Sequence, residues 1–175
     1  TPNFLHAPFT VKALEAGAHV LCEKPMAMTA DEAQNMADVA DKEGKTLMIN
    51  FSYRFSDISF ALKEQINSGK IGDIYFARTV WHRRRGFPGF GGWFGQKDKS
   101  GGGPLIDLGV HRIDLALLLM GNPETVSVNG ATYNRLVSEI IKETGDTDDC
   151  EDLAVAMVRL EGGITMLVEI SWGLY

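Results

Sequence analysis

The sequence predicts an α/β unit joined to an α+β unit. Three observations carry that expectation. Helix and strand patterns alternate through residues 1–50 with short connections, the rhythm changes after Phe51 to longer strands and a hairpin, and a buried helix near residue 104 carries a polar stripe. Strands of a parallel sheet are covered on both faces and read as continuous apolar runs, and the two short strand candidates of the first unit read that way.

In chain order, residues 4–16 place Leu5, Phe9, Ala13 and Ala16 at helical spacing and stop at Gly17. Residues 19–22 form a short apolar strand. Thr29, with Glu32 three residues on, has the capping-box pattern and opens a helix that runs to about Glu43, before Gly44. Residues 46–51 are a second buried strand, so residues 1–50 read as half of a parallel, helix-covered sheet. Residues 56–67 read as a helix closed by Ser68-Gly69, and residues 73–82, with Ile74, Phe76, Thr79, Val80 and Trp81, as a longer strand. Residues 83–103 are crowded with glycine and with Phe87, Phe90, Trp93 and Phe94. A loop of that length inside a compact domain is functional or disordered, and its aromatic content argues against disorder. Its rings either make a small core under the loop or offer a surface for stacking. Residues 125–133 alternate as a strand. The acidic stretch 146–152 lacks the glycine and ligand spacing of a calcium loop and reads as a solvated connection. Residues 153–160 and 164–171 pair as strands around Gly162-Gly163, a favoured two-residue hairpin turn.

Composition narrows the function. With 175 residues, 45% hydrophobic and 23% charged, the chain can bury one substantial core or two small ones. Its longest apolar run, residues 115–120, falls far short of the roughly 20 residues that span a bilayer, and no charged-then-apolar leader opens it. A net charge of −6 gives no general basis for binding phosphate backbones, and Arg83 to Arg85 lie in the glycine-rich aromatic segment. Neither membrane nor nucleic acid is therefore an expected partner. Cys22 and Cys150 stand far apart in unrelated contexts, which fits a reducing cytoplasm as the location. The turn-like Thr1-Pro2-Asn3 and the strand pattern ending at Tyr175 both read as interior sequence, so a piece of a longer protein is expected, with elements missing on both sides.

Chemistry is expected in two places. In the helix of residues 101–120, three glycines lead into Pro104, whose fixed φ suits a first helical position, and glycine N–H groups ahead of a helix can cradle an anion. Beyond it Asp107, His111 and Asp114 recur at i, i+4 and i+7 on one side. Such groups are costly to bury unpaired, so the stripe either joins a hydrogen-bonded network or lines a cavity. The second place is Glu23-Lys24-Pro25, at the carboxyl end of a parallel strand, the edge where ligands bind. Lys24 either faces that cleft or pairs with Glu23 at the surface. Pro25 holds Lys24 extended and permits a cis bond. Asp107 and His111 supply only two metal ligands with no adjacent third, so no metal is expected. Neither GxSxG nor GxGxxG occurs in the 175 residues.

Taken together, Thr1-Pro2-Asn3 with His6, Glu23-Lys24-Pro25, Trp93-Phe94, the run from Gly101 through Pro104 and Asp107 to His111, Asp114, and Glu151-Asp152-Leu153-Ala154 resemble the Gfo/Idh/MocA family of NAD(P)-dependent oxidoreductases. Their order and separation match along nearly the whole chain. The resemblance implies that residues 1–50 are the C-terminal half of a Rossmann dinucleotide-binding domain. Residues 51–175 would be a truncated substrate and oligomerisation domain, an α/β domain with an open, mainly antiparallel sheet that also makes a homo-oligomer interface.

The implied reaction passes a hydride between NAD or NADP and a sugar, cyclitol or related polyhydroxylated small molecule. Lys24 matches the family's catalytic lysine, and Asp107 and His111 match the carboxylate and imidazole of its inositol-dehydrogenase-like members. In that scheme His111 takes the hydroxyl proton, Lys24 bonds the same oxygen, and Asp107 orients the ring or holds a second hydroxyl. Asn3, His6, Glu23, Lys24 and Trp93 fall where the family contacts its cofactor. Tyr53 and His82 join Asp107 and His111 as expected substrate contacts, with the aromatic loop available to stack on a sugar ring. The family also implies an alternative of another class, a non-catalytic nucleotide-binding sensor or regulator.

Overall fold

In the computed structural model, which describes residues 1–88, 91–145 and 148–174, the chain builds two separate sheets. Expectations that fall on Gly89, Phe90, Asp146, Thr147 and Tyr175 lie outside the described residues.

A 3₁₀ turn, Asn3–Leu5, leads into α1 (His6–Glu15), β1 (Val20–Glu23), α2 (Ala30–Lys42) and β2 (Leu47–Asn50). The strands β1 and β2 pair in parallel from Val20 opposite Leu47 to Glu23 opposite Asn50, so both carboxyl ends finish together. The capping box is complete: Thr29 Oγ1 accepts from the Glu32 N–H, and the Glu32 carboxylate accepts from the Thr29 N–H. Gly17, at φ +87°, ends α1 in a conformation that penalises any Cβ. Ala7, Cys22 and Met36 form a small core with Leu47 and Ile49 packed against it.

A 3₁₀ turn, Ser52–Phe55, then carries the chain to α3 (Asp57–Asn67), whose N-cap Ser56 accepts from the Ser59 N–H. After it come β3 (Phe76–His82), the short α4 (Lys97–Ser100), a π-helical turn Leu105–Gly109 continuing into α5 (Val110–Leu119), β4 (Thr125–Tyr133), α6 (Arg135–Thr144), β5 (Leu153–Leu160) and β6 (Thr165–Ser171). The second sheet has the order β3-β6-β5-β4, with β3 parallel to β6 and the other two pairings antiparallel. Strand alternation sorts its faces. Met166, Val168 and Ile170 of β6 are buried in a core with Leu108, Val158, Leu160 and Trp172, while Leu167 and Glu169 face the other way.

Two sequence expectations need correction here, and one element has to be added. The described part of the acidic stretch, residues 148–152, is not the solvated connection expected, because Asp148 and Asp152 are buried. Their carboxylates accept backbone N–H groups, Asp148 from Gly91 and Asp152 from Leu136 and Val137 at the start of α6. Backbone donors left over at turns and helix starts satisfy those charges where water does not reach. The helix α6 itself was missed, although Leu136, Val137, Ile140 and Ile141 sit at helical spacing before Gly145. The hairpin between β5 and β6 is closed by Leu160 N–H to Ile164 O at 2.9 Å, leaving three loop residues, Glu161–Gly163, rather than two. Gly162 and Gly163 both take positive φ there.

Candidate active site

The first unit delivers Lys24 immediately after β1, and its peptide to Pro25 is cis. Its ammonium does not pair with Glu23. Nζ donates instead to Asp107 Oδ1 at 2.9 Å and to the Asp107 main-chain carbonyl at 2.8 Å, joining the two units across 83 positions of sequence. The Glu23 carboxylate accepts from Asn50 Nδ2 at 2.7 Å across the parallel pair. With side-chain exposures of 20% and 13%, the Lys24–Asp107 pair is shielded enough for its attraction to exceed that of a surface ion pair.

Asp107 reaches this position because the helix does not begin as α. The π-helical turn Leu105–Gly109 bonds the Val110 N–H back to the Leu105 carbonyl, and π turns recur at functional sites because the wider turn re-aims side chains. The turn is anchored from a distance. Glu151 accepts from the Gly103 N–H at 2.8 Å and the Leu105 N–H at 3.2 Å, so the anion held at this helix start is the chain's own carboxylate. A Cβ on Gly103 would lie 2.0 Å from the Glu151 carbonyl oxygen, so only glycine fits that approach.

The polar stripe divides. Asp107 is fully engaged, with Oδ2 accepting from the indole Nε1 of buried Trp172 at 3.0 Å. Asp114 pairs with Arg54, whose Nε donates to Oδ2 at 2.8 Å and whose Nη2 donates to Oδ1, so its role there is structural. His111 differs: among the described residues its buried Nδ1 has no hydrogen-bond partner. Asp107, spent on Lys24 and Trp172, does not orient that ring. Aromatic neighbours border it instead, with Tyr53 edge-on at 4.9 Å and Trp81 at 6.2 Å between ring centroids. Burial lowers the His111 pKa from its ordinary 6.5, and the Lys24 ammonium lowers it further against the opposing pull of Asp107 and Asp114.

Of the other expected site residues, Tyr53 joins this cluster and His82 does not. Trp81 points toward His111, so its neighbour His82 points to the opposite sheet face, 3.9 Å from Glu169, which Arg78 also holds. Asn3 is buried and donates from Nδ2 to the Ser100 carbonyl at 2.7 Å, a second tie between the units. Buried His6 sets Nδ1 2.7 Å from the Pro25 carbonyl and Nε2 3.1 Å from the Thr1 carbonyl. The hydrogen-bonding Cys22 side chain above all, and then the two carbonyls, raise its pKa against the cost of burial. Trp93 packs on Phe94, and Phe87 and Phe94 surround Trp172, so these described rings of the loop make a small core. Burial pushes the Cys150 thiol up to about 11, which keeps it protonated and unsuited to nucleophilic work. Among the described residues, no group of three or more His, Cys, Asp or Glu side chains is placed to hold a metal ion.

Residues missed from sequence are Trp172, Glu151 and Arg54. Glu151 stood in the sequence as part of the Glu151-Asp152-Leu153-Ala154 motif but with no role assigned, and the signals for its role and that of Arg54 were a glycine run lacking an anion and an Asp114 lacking a partner. Trp172 gave none.

Residues 60–175 match the family model described as the GFO/IDH/MocA C-terminal domain, and residues 1–51 match that of the oxidoreductase family, NAD-binding Rossmann fold. D-glucoside 3-dehydrogenase of Escherichia coli (strain K12) is 38% identical over 179 residues, covering 99% of this chain and 51% of that protein. Levoglucosan dehydrogenase of Pseudarthrobacter phenanthrenivorans is 31% identical over 190 residues, covering 98% of this chain and 47% of that protein. A solved structure of aldose-aldose oxidoreductase from Caulobacter crescentus, complexed with glycerol, superposes with a TM-score of 0.86 at 29% identity, covering 99% of this chain and 49% of that one. The chain thus spans about half the length of the curated relatives it matches.

Proposed function

The chain belongs to the Gfo/Idh/MocA oxidoreductase family, and from that premise we propose that its protein transfers a hydride between NAD or NADP and a sugar, cyclitol or related polyhydroxylated substrate. The observation that carries the proposal is the meeting of Lys24 from one unit with Asp107 from the other, one helical turn from an unpaired His111. In this reading residues 1–50 are the nucleotide side and residues 51–175 the substrate side.

Oxidising a secondary alcohol removes a hydride from carbon and a proton from oxygen. When bound, the dinucleotide supplies the nicotinamide ring that accepts the hydride. Lys24 and Glu23 at the carboxyl ends of parallel strands and the orphaned Nδ1 of His111 fit the nicotinamide end of such a group. His111, neutral because its pKa is lowered, takes the hydroxyl proton. Lys24 has three N–H donors and spends two on Asp107, which leaves one for the oxygen that gains negative charge. Asn3 holds the Ser100 carbonyl and His6 the Pro25 carbonyl next to Lys24, and together with Trp93 they are assigned to the cofactor side in this reading. Tyr53 lines the substrate side with His111.

The open face of the four-stranded sheet presents Phe76 and Met157, 50% and 45% exposed, beside Leu167 and Val155. This exposed face, apolar at these four positions and charged where Arg78 holds Glu169, supports assembly of a homo-oligomer through it. No helix among the described residues is long and apolar enough to cross a membrane.

The test is to supply the full-length protein with polyols and glycosides, each with NAD⁺ and NADP⁺, and follow formation of reduced nicotinamide. Lys24→Ala and His111→Ala should each lower turnover by about 10²-fold or more. Undiminished turnover in both variants would overturn the assignment of roles, and no reaction with any substrate would favour the non-catalytic sensor.

A further inference from the structure

We propose that Trp172 is a positioning residue: its indole N–H fixes the Asp107 carboxylate, and through it the direction in which Lys24 presents its remaining N–H to the substrate oxygen. This rests on the catalytic reading of Lys24.

Trp172 is only 1% exposed, and an indole offers one donor and no acceptor, so its N–H has to meet an oxygen inside the protein. The oxygen it meets belongs to the one carboxylate that also holds the lysine, although 65 positions separate the two residues.

The indole is a stiff reference point. The backbone N–H of Trp172 donates to the Asp152 carbonyl at 3.1 Å, and the Ser171 hydroxyl lies within hydrogen-bond distance of that carbonyl and of Gly173 O, 2.9 and 3.0 Å away. Phe87 and Phe94 pack on the ring at centroid distances of 6.3 and 5.9 Å.

Asp107 lacks comparable support of its own. It sits on a π turn, and its carboxylate can rotate about χ2 unless something outside the helix stops it. Lys24 cannot be that stop, because the amine ends a flexible four-carbon stem and takes its own orientation from the Asp107 carboxylate and carbonyl. With one carboxylate oxygen pinned by the indole, the other has one place to be. Two of the three ammonium N–H groups then have fixed acceptors, and tetrahedral geometry sets the third. Among the described residues no protein acceptor claims it.

The indole is neutral, so its contribution is to direction rather than to charge balance. Losing it should therefore disturb the chemical step more than substrate binding.

The experiment replaces Trp172 in the full-length protein in two ways: Trp172→Phe, and β-(3-benzothienyl)alanine, which keeps the bicyclic shape and puts sulfur where the N–H was. Both should lower kcat about tenfold with KM within about twofold, as expected for a lost hydrogen bond to a charged group felt mainly in the transition state. The benzothienyl protein should still fold cooperatively, with its melting temperature lowered by no more than one lost hydrogen bond costs. If it turns over at the wild-type rate, Trp172 only fills the core and the proposal fails; because it preserves shape, it decides the matter even if Trp172→Phe does not fold. Lys24→Ala run alongside separates the two readings. An inactive Lys24→Ala with a fully active benzothienyl protein sinks the positioning role alone, whereas an active Lys24→Ala takes the catalytic reading down with it.

Discussion

Two histidines in this chain are pushed in opposite directions, and each direction has a measurable sign. The His111 pKa is lowered below 6.5 by burial and by Lys24, so if it serves as the proposed base, proton abstraction should fail only when pH falls through that lower value. The acid limb of kcat/KM for alcohol oxidation is expected below pH 6.5 and should vanish in His111→Ala; a limb centred above 6.5 would contradict its use as the base. The same depressed pKa contributes stability that is present above 6.5 and lost as pH drops through the folded value. His6 behaves the other way. Both its ring nitrogens face carbonyls, which only accept, so the doubly protonated ring satisfies them best. Its pKa is raised, so its contribution is complete below 6.5 and fades as pH climbs through the higher folded value. Thermal melts at about pH 6 and about pH 8 should show this loss in the wild type and a smaller one in His6→Asn. Equal losses in the two proteins would show that His6 does not titrate there.

Helix starts are where this sequence is least tolerant, and the two best-defined starts differ in kind. The α2 start is local, with Thr29 and Glu32 reciprocally capped on an exposed surface. Thr29→Ala should cost about 1 kcal/mol by chemical denaturation and leave turnover unchanged. The start at Pro104 depends on a distant acid. Gly103→Ala would drive a methyl into the Glu151 carbonyl oxygen, and neither backbone can yield without breaking the Glu151 bonds to Gly103 and Leu105. A loss of about 3 kcal/mol is expected, together with lower activity, because the same turn carries Asp107. A Gly103→Ala protein as stable as wild type would mean that the turn can move. The capping box was legible because its residues lie three apart. The π turn was not, since its cause is a contact with residue 151 rather than any local preference.

For the whole molecule, the open sheet face sets the expectation of assembly. Sedimentation of the full-length protein should show an oligomer, and Met157→Glu, which places a charge beside Leu167 and Val155, should shift it toward smaller species. An unchanged distribution would remove this face from the interface. At this scale the sequence by itself determined the alternation of elements and the parallel and mainly antiparallel sheets, and marked Lys24, Asp107 and His111 as candidates, because periodicity, caps and motifs are written in runs of a few residues. Only the tertiary structure decided which charges meet. It gave Lys24 to Asp107 rather than Glu23, gave Asp114 to Arg54, left His111 bare, turned His82 to the far face, and drew the acidic stretch inward onto backbone donors. Those outcomes depend on burial and on donors brought from dozens of residues away, and a buried charge takes whichever partner the packing supplies.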